Sequence, residues 1–189
     1  MRKTRDKILS VYEEKSVGGG RGLFEISLEE LAQGAGINKR TIYRYFGSKE
    51  EIIAEMLDII MEKTALRITK ILSEENDLRT MLIEVIKTIK YLANGRVLED
   101  LRRHYPLLWQ KIELFRRQKI QQFFDSLINN QKMRIRWRVN PMIAHDVFIA
   151  ALAAVLNPQY IFDHSLTFEE TGNALLEMFM FGAMEQTNE

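Results

Sequence analysis

The stretch SLEELAQGAGINKRTIYRYFGSK, at residues 27–49, decides the fold of this chain. Ser27 and Glu30 have the spacing of a capping box, in which the hydroxyl accepts a backbone N–H and the carboxylate reaches back to the cap residue. A short helix is therefore predicted to begin here. Gly36 follows that helix and can adopt the left-handed backbone that a tight turn between two helices requires.

A second short helix is predicted directly after this turn. Asn38 suits the N-cap position, the helix spans 39–45, and Gly47 ends it. Ser48 and Glu51 repeat the capping-box spacing, which predicts another helix immediately afterwards. A helix, a glycine turn and a short second helix in this order predict a helix-turn-helix, in which the second helix enters the major groove of DNA.

The two short helices have one apolar face and one face rich in hydrogen-bond donors. The apolar set consists of Leu28, Leu31, Ala32, Ile37, Ile42 and Phe46. The outward donors are Lys39, Arg40, Thr41, Tyr43, Arg44, Tyr45 and Lys49. Such donors bind phosphates and base edges. Each one alone could be an ordinary surface residue, and Tyr43 could pack beneath the helix, but the joint pattern predicts DNA binding.

The sequence AQGAGINKRTIYRYFGSKEEI, at residues 32–52, resembles the signature of the tetracycline-repressor (TetR) family. The resemblance implies a helix-turn-helix DNA-binding domain at residues 1–50 and a helical ligand-sensing and dimerisation domain at residues 51–189. It implies that Lys39, Arg40, Tyr43 and Arg44 face base edges and that Thr41, Tyr45 and Lys49 hold phosphates. It also implies a repressor that a small molecule releases from its operator in double-stranded DNA.

Two features depart from the usual pattern of that family. The connection between the first two helices contains GGGRG at residues 18–22 and is about two residues longer than usual. Glu29 and Glu30 stand near the start of the second helix, where many relatives carry a basic residue. Acidic groups repel phosphate, so we expect no phosphate contact from these two side chains.

Helical patterns continue along the rest of the chain. Apolar residues recur every three to four positions in a long helix that is predicted to reach about residue 72. Further helices are predicted at 4–16, 77–94, 97–104, 106–131, 141–156 and 168–184. The run RIRWRV at 134–139 is a weak exception with strand character. The predicted fold class is all-α.

Charge is distributed unevenly, although the formal net charge is only +1. Residues 1–49 hold ten Lys or Arg and six Asp or Glu, and residues 96–138 hold eleven and four. Residues 139–189 hold seven acidic residues and no Lys or Arg. The basic N-terminal segment suits a nucleic-acid partner, although the net charge of the whole chain does not indicate one.

Composition also indicates the cellular compartment of the protein. The chain contains no Cys, which excludes disulfides and thiolate metal sites. The N-terminal segment lacks the apolar core of a signal peptide, and no apolar run approaches the ~20 residues of a membrane-spanning helix. A cytoplasmic protein without a membrane partner is predicted.

Two C-terminal segments, 142–156 and 168–184, are apolar over more than one stripe, which predicts burial on several sides. Their small residues allow close packing, and the resemblance implies that both helices pair with their copies in a homodimer. The predicted interface consists of Ala150, Ala151, Ala154, Leu175, Met178, Phe179, Gly182 and Ala183. The core of a monomer would explain the same pattern.

The middle of the chain is rich in large side chains that could line a pocket for a small-molecule effector. The predicted ligand-binding residues are Tyr91, Tyr105, Trp109, Phe115, Phe123 and Phe148. Such side chains also fill cores, and sequence alone does not choose between the two roles. A mostly apolar effector is the default expectation, and the basic segment 96–138 leaves an anionic one open.

Nothing after residue 60 forms a catalytic constellation, so an enzyme is not predicted. His145 and Asp146 could be a fragment of a metal site, but a capping or interfacial pair is favoured. Neither a metal nor another cofactor is predicted. The alternative function is a helical partner-binding protein that does not use DNA, and the cations of the second helix argue against it.

Overall fold

The fold is built from helices, and the structure, a computed structural model, describes residues 2–75, 77–90, 95–129, 135–156 and 158–186. The first four α-helices are α1 (Arg2–Glu13), which a π-helical segment (Glu14–Gly18) continues, α2 (Leu28–Ala35), α3 (Lys39–Tyr43) and α4 (Lys49–Glu74). The others are α5 (Leu78–Lys90), α6 (Gly95–His104), α7 (Pro106–Asn129), α8 (Pro141–Val155), α9 (Pro158–Asp163) and α10 (Phe168–Ala183). The predicted all-α class is confirmed. Among the described helices, none combines the length and apolar character needed to cross a membrane.

One short antiparallel ribbon accompanies the helices. β1 (Ile135–Trp137) pairs with β2 (Met184–Gln186), and Trp137 lies opposite Met184. β1 falls inside the run at 134–139 that had weak strand character in the sequence. The ribbon joins the segment after α7 to the chain that leaves α10.

Local sequence signals fix the ends of the short helices. The Ser27 hydroxyl accepts the Glu30 N–H at 3.1 Å and caps α2 as predicted. Gly36 ends α2 with φ 64° and ψ 36°, the left-handed region that side chains disfavour. Asn38 Oδ1 accepts the Thr41 N–H at 2.8 Å and caps α3. The turn of the helix-turn-helix is therefore determined by residues next to it in sequence.

The described chain divides into two compact units. The first comprises the described parts of Met1–Lys63 and Tyr91–Ile112, and the second comprises those of Thr64–Lys90 and Glu113–Glu189. The helix-turn-helix thus shares its unit with the first half of α4 and with α6. The functional division at residue 50 stays a prediction, because compactness says nothing about which unit senses a ligand.

The apolar faces of α1 to α4 form the core of the first unit. Its buried side chains include Ile8, Leu9, Tyr12, Leu31, Ala32, Ile42, Phe46, Ile52, Ile53 and Met56. Of the inner set predicted for the helix-turn-helix, Leu28 and Ile37 are half-buried and the other four are buried. Each fully buried Leu or Ile stabilises the fold by about 1.5–3 kcal/mol, so this core holds α3 against the rest of the unit.

An aromatic cluster lies in the core of the second unit. The ring centroid of Phe124 is 5.5 Å from that of Phe148 and 5.4 Å from that of Phe179. Leu82 and Ile86 of α5 belong to the same buried core. This core therefore joins α5, α7, α8 and α10.

Candidate nucleic-acid interface

α3 presents its polar side to solvent. The four side chains predicted to face base edges, Lys39, Arg40, Tyr43 and Arg44, are all exposed. Tyr43 is 52% exposed, so it does not pack beneath the helix. Ile42 is buried and anchors the opposite side. The structure thus gathers these four hydrogen-bonding side chains on one short, anchored helix and on the residue that caps its C-terminal end, Arg44.

α3 ends at Tyr43, two residues before the predicted end. The Arg44 N–H bonds to the Thr41 carbonyl at 3.2 Å and the Tyr45 N–H bonds to the Ile42 carbonyl at 2.9 Å. Both bonds reach back three residues rather than four, which tightens the chain into a turn. The turn brings the next residue, Phe46, into the core.

The three side chains predicted to hold phosphates have different surroundings. The Thr41 hydroxyl donates to Asn38 Oδ1 at 2.9 Å, and Tyr45 is half-buried. Lys49 Nζ donates to the Phe24 carbonyl at 2.8 Å. Burial lowers the pKa of Lys49 from its ordinary value of 10.5. Two of the three are thus already engaged within the protein.

An acidic residue of α2 is paired with α3. The Glu29 carboxylate forms an ion pair with the Lys39 ammonium. This contact lowers the pKa of Glu29 and raises the pKa of Lys39. Both side chains are exposed, and exposed ion pairs are weak enough for DNA to displace. A DNA contact of Lys39 would therefore have to replace its ion pair with Glu29.

Glu30 does not complete the capping box that was expected at the start of α2. Its carboxylate pairs with the Arg21 guanidinium and with Lys15 Nζ, the latter at 3.4 Å. The Arg21 hydrogen bond holds the pKa of Glu30 below its ordinary value of 4.5. Two cations compete better for a carboxylate than one neutral N–H does. The glycine-rich loop is thereby fastened to α2.

An arginine that sequence reasoning missed supports the end of α3. Arg5 of α1 donates to the Tyr45 carbonyl at 2.7 Å, and its guanidinium lies 4.5 Å from the centroid of the Phe46 ring. The same guanidinium binds the Glu55 carboxylate of α4 through Nε at 2.8 Å. Its partners lie 40 and 50 positions away, so no local pattern could have identified it.

The residues predicted to bind a ligand are divided between the two units. Tyr105 and Trp109 belong to the first unit, Phe115, Phe123 and Phe148 belong to the second, and Tyr91 lies outside the described residues. Phe123 and Phe148 are buried in the core cluster of the second unit, where both contact Phe124. For these two residues the structure favours the alternative role of filling a core.

A cleft of about 210 Å³ opens between α5 and α10 in the second unit. Its apolar lining consists of Leu82, Ile83, Ile86, Leu176 and Met180. The polar lining consists of Arg79, Lys87, Glu169, Asn173 and Glu177. The residues predicted to bind a ligand are not part of this lining. The prediction was based on large aromatic side chains, whereas the apolar side chains of this cleft are aliphatic.

The residues predicted for the dimer interface differ in exposure. Ala150, Ala154, Met178 and Gly182 are exposed, Ala151 and Leu175 are half-buried, and Phe179 and Ala183 are buried. Phe179 packs on Phe148 with 4.7 Å between ring centroids, so it fills the core of its own protomer. Ala183 belongs to the same core cluster. Neither side chain lies on an exposed face of the protomer, and the place of these two positions in a dimer interface stays a prediction.

The exposed faces of α8 and α10 contain large apolar side chains that the prediction missed. Ile143 and Val147 on α8 are 59% and 60% exposed, and Phe181 on α10 is 76% exposed. They stand beside the exposed alanines of α8 and beside Met178. The predicted interface was based on small residues that allow close packing, so it did not include these larger side chains.

His145 and Asp146, which the sequence singled out, contact each other. His145 Nδ1 lies 2.9 Å from Asp146 Oδ1, and its ring packs edge-on against Phe124. Within the part of the chain that the structure describes, no three His, Cys, Asp or Glu side chains are grouped to hold a metal ion.

The sequence of this chain is similar to that of known transcriptional regulators. Residues 19–56 match the tetR family of bacterial regulatory proteins. YvaF, an uncharacterized HTH-type transcriptional regulator of Bacillus subtilis (strain 168), is 26% identical over 171 residues, which cover 84% of this chain and 86% of that protein.

Two solved structures share the fold over most of the chain. One, described as a transcriptional regulator from Saccharomonospora viridis in complex with choline, has a TM-score of 0.76 and 16% identity and covers 98% of this chain and 100% of its own. The other, FadR from Bacillus subtilis in complex with stearoyl-CoA, has a TM-score of 0.61 and 21% identity and covers 93% and 97%.

The segment that matches the family contains all of α2 and α3, the glycine turn between them and the beginning of α4. These are the elements that carry the exposed donors and the caps described above. The helix-turn-helix segment of this chain therefore matches the TetR family of bacterial regulatory proteins, and the fold of the chain is the one shared by the two solved structures.

Proposed function

We propose that this regulator is a cytoplasmic homodimer that binds a two-fold-symmetric operator in double-stranded DNA, represses transcription and is released by a small molecule. The observation that carries the proposal is the exposed donor set of α3, on a helix capped by Asn38 and anchored by buried Ile42. In this proposal Lys39, Arg40, Tyr43 and Arg44 contact base edges, and Thr41, Tyr45 and Lys49 hold phosphates.

The exposed apolar side chains of α8 and α10 support the homodimer. Ile143, Val147, Ala150 and Ala154 are separated by four, three and four positions, so they share one helix face. On α10 the exposed large apolar residues are Met178 and Phe181. A second copy of these helices would remove both faces from water. A two-fold dimer would also present two copies of α3 to half-sites about 34–36 Å apart.

The effector is proposed to have an apolar body and a polar end. The cleft between α5 and α10 has an aliphatic lining with both cationic and acidic residues at its edge, which suits such an amphipathic molecule. Tyr105, Trp109 and Phe115 do not line this cleft, so their role as ligand contacts stays a separate prediction. Release from DNA requires that the effector prefer one dimer state, since equal affinity for both states shifts nothing.

The decisive experiment is selection of genomic DNA fragments by the purified full-length protein. We expect fragments that share a two-fold-symmetric sequence, bound with an affinity that falls steeply with salt. Each phosphate contact adds about 0.9 to the slope of log K against log salt. Retention of no sequence above background, or binding that does not change with salt, contradicts the proposal and favours a partner-binding protein that does not use DNA.

The same fragments test the effector. Small molecules with an aliphatic chain and a charged end are screened for a rise in the melting temperature, because a ligand that binds the folded state stabilises it. A true effector also lowers the affinity for the selected fragment. A molecule that raises the melting temperature but leaves DNA binding unchanged is a ligand without a regulatory role.

A further inference from the structure

The lysine proposed to hold a phosphate is connected to α6 through a single residue of the glycine-rich loop. The Phe24 carbonyl accepts a hydrogen bond from Lys49 Nζ at 2.8 Å. The Phe24 N–H donates to Asp100 Oδ2 of α6, also at 2.8 Å. Both polar groups of one backbone residue are therefore occupied, one by α4 and the other by α6.

Gly22 permits the approach of Asp100 to this loop. Gly22 is buried, and a Cβ at this position would overlap the Asp100 carboxylate. A side chain at this position would therefore displace the Asp100 carboxylate. Gly22 belongs to the GGGRG run that makes the connection between α1 and α2 longer than is usual in the family.

Neighbouring contacts hold the loop on both sides. The hydroxyl of Tyr12, which is buried, donates to the Leu23 carbonyl at 2.7 Å. The ring of His104 stacks on that of Phe24, with 4.2 Å between centroids and 18° between planes. Lys49 Nζ lies 5.6 Å from the centroid of the same Phe24 ring. These contacts hold the loop between α6 and the start of α4.

We propose that Asp100 is a positioning residue for DNA binding: by holding the Phe24 N–H, it fixes the Phe24 carbonyl where that carbonyl orients the Lys49 ammonium for a DNA phosphate. An ammonium has three N–H donors, and the carbonyl uses one, which leaves two for phosphate oxygens. A lysine already held in place loses less side-chain entropy when it binds. The inference rests on the proposed DNA-binding function.

The proposal gives α6 a direct route to the DNA contact. Any displacement of α6 that breaks the bond between Asp100 and Phe24 releases the Phe24 backbone, and with it the carbonyl that orients Lys49. This route is separate from the α4 helix, since it passes through the loop between α1 and α2.

The test compares Asp100→Ala with Asp100→Asn on a selected DNA fragment. Alanine removes the acceptor, so we expect binding to weaken about 3- to 10-fold and the salt slope to fall by about 0.9. Asparagine keeps an oxygen acceptor, so it should restore both values. Glu99→Ala, which removes the neighbouring acid and its surface pair with Arg103, is the matched control and should behave as wild type.

Two further measurements separate positioning from simple stability. In a Lys49→Ala background, Asp100→Ala should cause no further loss of affinity, because the residue through which it acts is gone. In the free protein, hydrogen exchange at the Phe24 amide should accelerate in Asp100→Ala and stay slow in Asp100→Asn. Gly22→Ala displaces the Asp100 carboxylate and should reproduce the loss of affinity. If Asp100→Ala does not fold, wild-type affinity in folded Gly22→Ala overturns the positioning role.

The outcomes distinguish this inference from the proposed function. If wild type binds DNA and Lys49→Ala weakens it, but folded Asp100→Ala binds with wild-type affinity and salt slope, the positioning role is overturned alone. An equal loss from Asp100→Ala with and without Lys49 also overturns it. If wild type binds no selected DNA, the proposed function is overturned, and the positioning role is overturned with it.

Discussion

Arg5 Nε of α1 lies 2.8 Å from Glu55 Oε1 and 3.0 Å from Glu55 Oε2 of α4, so one guanidinium nitrogen contacts both carboxylate oxygens. A terminal nitrogen of the same guanidinium donates to the Tyr45 carbonyl at 2.7 Å. This one side chain therefore connects α1, α4 and the turn that follows α3. It therefore stabilises the DNA-binding helix through the turn that follows it.

Arg5→Ala is expected to lower the free energy of unfolding by about 1–2 kcal/mol, since it removes charge-assisted hydrogen bonds at a partly exposed site. Urea denaturation of the full chain, followed by circular dichroism, measures this change. Lys3→Ala, an exposed cation on the same helix, is the control and should change stability little. Equal stabilities for Arg5→Ala and Lys3→Ala would show that the pair contributes nothing.

Asn38→Ala is expected to destabilise the fold by about 1 kcal/mol and to weaken specific DNA binding. The Asn38 side chain caps a helix of only five residues, so little else holds the first turn of α3. Asn38→Ser retains a cap and should keep most of both properties. Urea unfolding and titration of a selected DNA fragment provide the two measurements. Full DNA affinity in a destabilised Asn38→Ala would contradict the view that the cap orders α3 for binding.

The acidic residues of α2 should titrate below their ordinary range. Lys39 lowers the pKa of Glu29, and Arg21 lowers the pKa of Glu30. A carboxyl group with a depressed folded-state pKa stabilises the fold above its unfolded pKa, and that stability is lost as the pH falls through the folded-state value. Carboxyl NMR titrations should place both pKa values below 4.5. Lys39→Ala should raise only that of Glu29, and Arg21→Ala only that of Glu30.

The helix-turn-helix could be predicted because its determinants are local. Ser27, Gly36 and Asn38 act on backbone groups no more than four residues away, so their residue types alone indicate caps and a turn. The contacts that hold the motif from outside could not be predicted. Phe24 and Asp100 are separated by 76 positions, and nothing in either residue type indicates that the two meet.

The C-terminal helices show the opposite situation. α10 is apolar around much of its circumference, so the residue type does not distinguish the core side from the exposed side. Met178 and Phe179 are neighbours and both apolar, yet one is 74% exposed and the other is 7% exposed. Only the packing of α10 against its neighbours separates them. Sequence correctly identified the helix but could not assign its faces.

Val147→Asp and Met178→Asp are expected to give folded monomers, because each places a charge in the apolar face proposed to meet a second copy. Light scattering gives the mass, and circular dichroism shows whether the helices remain. Leu107→Asp replaces an equally exposed leucine of α7 and should leave a dimer. Phe179→Asp should unfold the second unit, because that side chain lies in the core of the protomer. Folded dimers of both Val147→Asp and Met178→Asp, with wild-type affinity for DNA, would place the interface elsewhere.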